Sequence, residues 1–147
     1  MEKKKQAEQQ KNVKITRNEV FFLNRMLANI ETCEMNNDDI LKLHKLKRKL
    51  SKVEEEAIEF SKTLSEQLKP ANFEEMQKDE SESGVAILKQ ATEEVNAKSK
   101  DIVDKYMDET VEIKTEKIDE ELFIEVSGKT KGFTYGILEF MIQKFSE

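Results

Sequence analysis

One cysteine, Cys33, and one histidine, His44, are all that 147 residues offer for thiol or imidazole chemistry near neutral pH. A cysteine nucleophile needs a base within hydrogen-bond reach, and His44 falls on a different expected helix from the one preceding Cys33. Cys33 therefore reads as a small semi-buried thiol and His44 as helix surface. A single cysteine allows neither an intramolecular disulfide nor a cysteine-rich zinc site. No Ser-His-Asp set, nucleophile elbow or metal cluster can be drawn from this inventory, and no cofactor is expected. Ser127-Gly128-Lys129-Thr130 with Gly132 has part of the composition of a phosphate loop. It lacks the first glycine at the offset where backbone amides would cradle a phosphate.

Two charged segments remain. Lys42, Lys45, Lys47, Arg48, Lys49 and Lys52 follow one another with no acid between them. Helical spacing gathers Lys42, Lys45, Lys49 and Lys52 on one face, with His44 and Arg48 alongside. Neutralising a phosphate backbone asks for such a face. No aromatic residue interleaves it for base stacking, and no helix-turn-helix or zinc-finger spacing accompanies it. The face reads as solvated, or as a dock for the chain's own acids, with nucleic-acid binding as the rival. The acids lie downstream: eight carboxylates against two lysines over residues 108–125, with Glu116, Asp119, Glu120 and Glu121 the densest. Paired carboxylates can exchange protons or hold a metal. Here they lack the spacing of a calcium loop and any convergent histidine. Solvent is their expected neighbour. As a block they could also imitate a nucleic-acid backbone towards a host enzyme, and the segregation of charge suggests head-to-tail or partner contacts.

The elements that must carry these segments are legible from periodicity. Charged residues make up 38% and hydrophobic ones 37%, with four Gly, one Pro and no Trp, the composition of long solvated helices. A net charge of −6 favours solubility and disfavours general nucleic-acid affinity. Residues 1–12 read as a basic, mobile arm. No apolar run opens the chain, and nothing approaches the roughly 18 apolar residues of a membrane span. An intracellular protein is expected, in whatever cell makes it.

Val13-Lys14-Ile15 alternates as a short strand, and Thr16 with Glu19 forms a capping box for the helix that follows. That helix carries Val20, Leu23, Leu27 and Ile30 together with Phe22 and Met26, a wide apolar arc that predicts deep burial. Asn36-Asn37-Asp38-Asp39 opens a second helix. Along it Leu43, Leu46, Leu50, Val53, Ala57, Phe60 and Leu64 keep a 3-4-3-4 seam, which demands another helix to cover it. Pro70 stops that helix. A second long element over about 73–108 carries Val85, Leu88, Ala91, Val95, Ile102 and Tyr106, with Ser99 filling one step. Antiparallel packing of the two stripes is the simplest use of both. Residues 77–84 interrupt this element with a polar run that is either frayed helix or loop. Val111–Thr115 and Leu122–Val126 read as strands, Ser127-Gly128 as a break, 129–132 as a loop, and 133–145 as a last amphipathic helix.

The run Val13-Lys14-Ile15-Thr16-Arg17-Asn18-Glu19 with its helix, the Lys-rich second helix, and the closing strand, Ser-Gly and helix together resemble, in layout, a type of small phage and prophage protein. Such proteins are uncharacterised and sometimes encoded near virion or tail-assembly genes. The resemblance implies a viral accessory or structural protein rather than an enzyme, and assigns no site residues.

The expected fold is mainly α with a minor β element (α+β). A long antiparallel helical hairpin at about 38–108 joins a compact end built from 13–31 and 110–146, in one domain over 13–147. The expected function is non-catalytic: a subunit or adaptor binding copies of itself or another phage or host protein, with no membrane partner. Leu43, Leu46, Leu50, Val53, Phe60 and Leu64 would be shared between the hairpin's interior and that partner.

Overall fold

A computed structural model describes residues 10–30 and 35–147. Cys33 and residues 1–9 of the expected arm lie outside the described residues. The described chain is mainly helical with one two-stranded sheet, in the order β1 (Gln10–Thr16), α1 (Arg17–Ala28), α2 (Asn37–Leu68), α3 (Phe73–Lys78), α4 (Glu82–Asp108), β2 (Thr110–Glu116), α5 (Glu120–Lys129) and α6 (Tyr135–Phe145). It divides into two compact units. One takes residues up to Glu54 together with Thr110–Glu147; the other is Glu55–Glu109. Helix α2 contributes its first half to one unit and its second half to the other.

In the first unit β1 and β2 pair antiparallel, with Val13 opposite Ile113 and Ile15 opposite Val111. Alternation turns Val13, Ile15, Ile113 and Thr115 into the core and leaves Lys14, Glu112, Lys114 and Glu116 in solvent. The strand begins three residues earlier than its apolar pattern suggests, because Gln10, Lys11 and Asn12 find partners in Glu116, Thr115 and Lys114. Thr16 ends the strand and caps the helix at once. Its hydroxyl accepts from the Glu19 amide at 3.1 Å while the Glu19 carboxylate accepts from the Thr16 amide at 2.8 Å. Helix α1 buries Val20, Leu23, Met26 and Leu27. The first half of α2 adds Leu43, Leu46 and Leu50 to the same core. Asn36 opens α2 by accepting from the Asp39 amide at 2.9 Å.

Residues 122–126 are not a strand. Leu122, Phe123 and Val126 are buried together with Ile118 and Thr130, a stripe with helical spacing. Glu120 and Glu121 sit in the first turn of α5, where its dipole favours negative charge. Helix α5 runs through Ser127 and Gly128 to Lys129, so the turn is 130–134, with Gly132 at φ +86°. A side chain at Gly132 would be strained, and this is the one described position where glycine's left-handed freedom is required. Thr134 then caps α6, which buries Met141 and Phe145.

The second unit is a helical hairpin. Phe60 of α2 stacks on Tyr106 of α4 with ring centroids 4.0 Å apart. Ser65 and Ser99 hydroxyls lie 3.4 Å apart. The paired numbers rise on one helix and fall on the other, so the helices run antiparallel. Leu88, Ala91, Val95, Ser99, Ile102 and Tyr106 are the covered stripe of α4; Val85, expected to begin it, is 54% exposed. The polar run around residue 80 is a break between helices. Asp79 leaves helical geometry, and Ser81 caps α4 by accepting from the Gly84 amide at 3.0 Å. Only the second half of the seam serves this hairpin. Leu43, Leu46 and Leu50 belong to the core of the other unit, which corrects the expectation of one hairpin from 38 to 108 with a single continuous interface.

Candidate functional site

Burial of Leu43, Leu46 and Leu50 on one side of α2 turns the opposite side outward, and with it Lys45, Arg48, Lys49 and Lys52. Lys42, Lys45 and Lys49 then line a cleft of about 360 Å³ with Lys114, Glu116 and Ile118. Lys49 donates to the carbonyl oxygen of Lys114. The Lys45 ammonium lies 3.9 Å from the Glu116 carboxylate, an exposed pair worth at most about 1 kcal/mol. The basic face thus does dock one of the chain's own acids, and four lysines still surround that single carboxylate.

The acidic block is not gathered in the same way. Glu116 ends β2, Asp119 occupies the N-cap position of α5 without a side-chain cap bond, and Glu120 and Glu121 start the helix. Glu125 pairs with Lys129 at 3.4 Å along α5. His44 is exposed beside a shallow cleft with Ile40 and Lys47. Among the described residues no group of three His, Cys, Asp or Glu is arranged to hold a metal ion.

Of the six seam residues expected to meet a partner, Leu43, Leu46 and Leu50 are enclosed in their own core and are not available to one. Val53 is half-buried against that core. Phe60 and Leu64 are half-buried in the hairpin. Exposed apolar residues lie elsewhere on the hairpin instead, at Ile58, Val85 and Ile87.

A further surface surrounds α6, whose apolar positions exceed what one core can cover. On one side Phe22, Ile137 and Phe140 line a groove of about 480 Å³ between α1 and α6. On the other, Ile124, Tyr135, Leu138 and Ile142 line a groove of about 410 Å³ between α5 and α6. Sequence reasoning missed both because it read Leu122–Val126 as a strand and 133–145 as an amphipathic helix with one apolar side. The signal was present: Phe22 stands off the Val20, Leu23, Leu27 stripe, and α6 carries apolar residues around most of its circumference.

Comparison with protein-family models, with curated proteins and with solved structures returns no match to this chain. Its surfaces are therefore the ground for a functional reading. They present two grooves beside α6, a lysine cleft and a half-covered hairpin. No helix of the described residues is long and apolar enough to cross a membrane.

Proposed function

We propose that the protein is a non-catalytic interaction module whose helical hairpin, residues 55–109, packs against helices of another polypeptide. The observation that supports this is the poverty of the hairpin's interior. Its buried side chains are Ala57, Val95 and Ser99, while Phe60, Leu64, Ile102 and Tyr106 stay half-covered and Ile58, Val85 and Ile87 are exposed. The two long helices cover one stripe of each other, and an apolar arc wider than that stripe needs further helices. The layout resemblance to small phage proteins is the ground for setting this role in phage assembly or an accessory function.

The test is mass by light scattering in low and high salt, paired with hydrogen exchange. A salt-resistant oligomer that falls apart on Ile58→Glu and Ile87→Glu supports the reading, since apolar cover between chains persists when charges are screened. A monomer whose amides in 55–108 exchange as slowly as those of β1 and β2 overturns it, because such a hairpin needs no cover.

A second reading, binding of a nucleic-acid backbone, is favoured by the four lysines of the Lys42 cleft. It requires affinity that falls steeply with salt and disappears in a Lys45→Glu, Arg48→Glu, Lys52→Glu variant. Retention on DNA and RNA unchanged by those substitutions ends it.

A further inference from the structure

The groove between α5 and α6 combines features that a free surface rarely keeps together. Ile124, Tyr135, Leu138 and Ile142 form an apolar strip within a largely polar lining, with Tyr135 78% exposed and Ile124 49% exposed. Its rim is Glu120, Glu139 and Glu147, and among the described residues no Lys or Arg lines it. Carboxylates around one groove repel one another, and the apolar strip between them remains wet. An occupant that brings cations and one apolar side chain relieves both conditions.

The chain carries such a surface itself. Leu41 on α2 is 50% exposed, and Lys45, Arg48 and Lys52 follow it at i+4, i+7 and i+11, all exposed. These positions share one helical face. The result is an apolar knob at the end of a row of three cations, matching in charge and in polarity the groove at α5 and α6.

We infer that the Leu41–Lys52 face of one copy docks in the α5–α6 groove of a second copy. The two patches differ, so the contact is heterologous: each pair leaves one basic face and one groove unfilled, and further copies add head to tail. Both surfaces belong to the unit outside 55–109, so the inference stands apart from the proposed role of the hairpin. The attraction is carried largely by exposed charge and weakens as salt shortens its range. Lys45 already has Glu116 as an exposed partner, which leaves Arg48 and Lys52 as the cations to reverse without disturbing a salt bridge or hydrogen bond found among the described residues.

The experiment uses two full-length variants. One is Arg48→Glu with Lys52→Glu; the other is Glu139→Lys with Glu147→Lys. Each is labelled in turn and followed by sedimentation velocity, alone, with excess of its own unlabelled kind, and with excess of the other variant. The expected result is that mixing the two variants speeds sedimentation, because each supplies the patch the other lacks. Adding a variant to its own kind should change nothing, and raising salt to about 0.5 M should cancel the effect of mixing. This pattern is unaffected by any hairpin oligomer, which would be present in every sample and would resist salt. Unfolding of a variant cannot mimic it, since a collapsed surface does not restore binding in a mixture. Leu41→Ala and Tyr135→Ala provide a second, uncharged pair of variants: each is expected to weaken wild-type association about tenfold by removing the apolar part of the contact. Failure of the two charge variants to associate when mixed overturns the inference. So does a wild-type mass independent of concentration at low salt. Loss of retention on immobilised polyanion in the Arg48/Lys52 variant, with no association on mixing, would overturn it in favour of a nucleic-acid occupant.

Discussion

Helix α2 presents the same three-four apolar spacing along its whole length, and its two halves end in different surroundings. Leu43, Leu46 and Leu50 enter a core shared with a sheet and three other helices, where Phe123, Phe145 and Leu23 are fully enclosed. Ala57, Phe60 and Leu64 meet one helix, and only Ala57 of the three is buried. Charge divides in the same way. Seven basic and fifteen acidic residues give 55–109 a charge of −8, while eighteen and sixteen give the remainder +2, together the −6 of the chain. Periodicity decides which side of a helix turns inward; the number of neighbouring elements decides how completely that side is enclosed.

The contrast can be broken most forcefully in the first unit. Phe123→Ala should cost about 3–5 kcal/mol in a denaturant titration, since the ring is fully enclosed and leaves a cavity. A loss below about 1 kcal/mol would mean the two units are equally loose. The matching change in the hairpin, Phe60→Ala, removes a half-covered ring and its stack on Tyr106. It should cost about 1–2 kcal/mol, with faster hydrogen exchange confined to residues 55–108. Acceleration spreading equally to β1 and β2 would show that the units do not open separately.

The smallest effect concerns pH at the start of α4. The Ser81 hydroxyl, and after it the Ser81 amide, donate to the Asp79 carboxylate and hold its pKa below the ordinary carboxylate range. A depressed folded pKa means the contribution is complete above the unfolded value and is lost as pH falls through the lowered folded one. At neutral pH the cap is therefore intact. On acidification the Ser81 and Gly84 amides should lose protection, and Asp79→Asn should remove that dependence. An identical acid profile in the Asn variant would disconnect Asp79 from the cap.

Much of this architecture was legible in the chain. The capping box at Thr16 and Glu19, the stop at Pro70 and the alternation of Val111–Thr115 are local signals, and local contacts answer them. Leu122–Val126 was not legible as a helix. Leu-Phe-Ile-Glu-Val is rich in strand-forming residues, and only the wider spacing of Ile118, Leu122, Val126 and Thr130 shows that one helical face is buried. The division of α2 was illegible for a related reason: a seam specifies that it must be covered and is silent about what covers each part. The grooves beside α6 escaped because an apolar position on a wide arc looks the same in sequence whether the core reaches it or stops short.

The pairing of β1 with β2 has a consequence for the order in which the chain takes shape. Gln10 meets Glu116, so the first strand leaves the ribosome about a hundred residues ahead of its partner. The hairpin's contacts, such as Phe60 with Tyr106, close much shorter loops and can form while the sheet still waits. During synthesis the acidic hairpin is therefore able to assemble before the sheet, and β1 spends that interval without its partner strand. Once the hairpin has formed, the strands are joined through a folded segment rather than a long flexible loop, which lowers the entropy lost when the sheet closes.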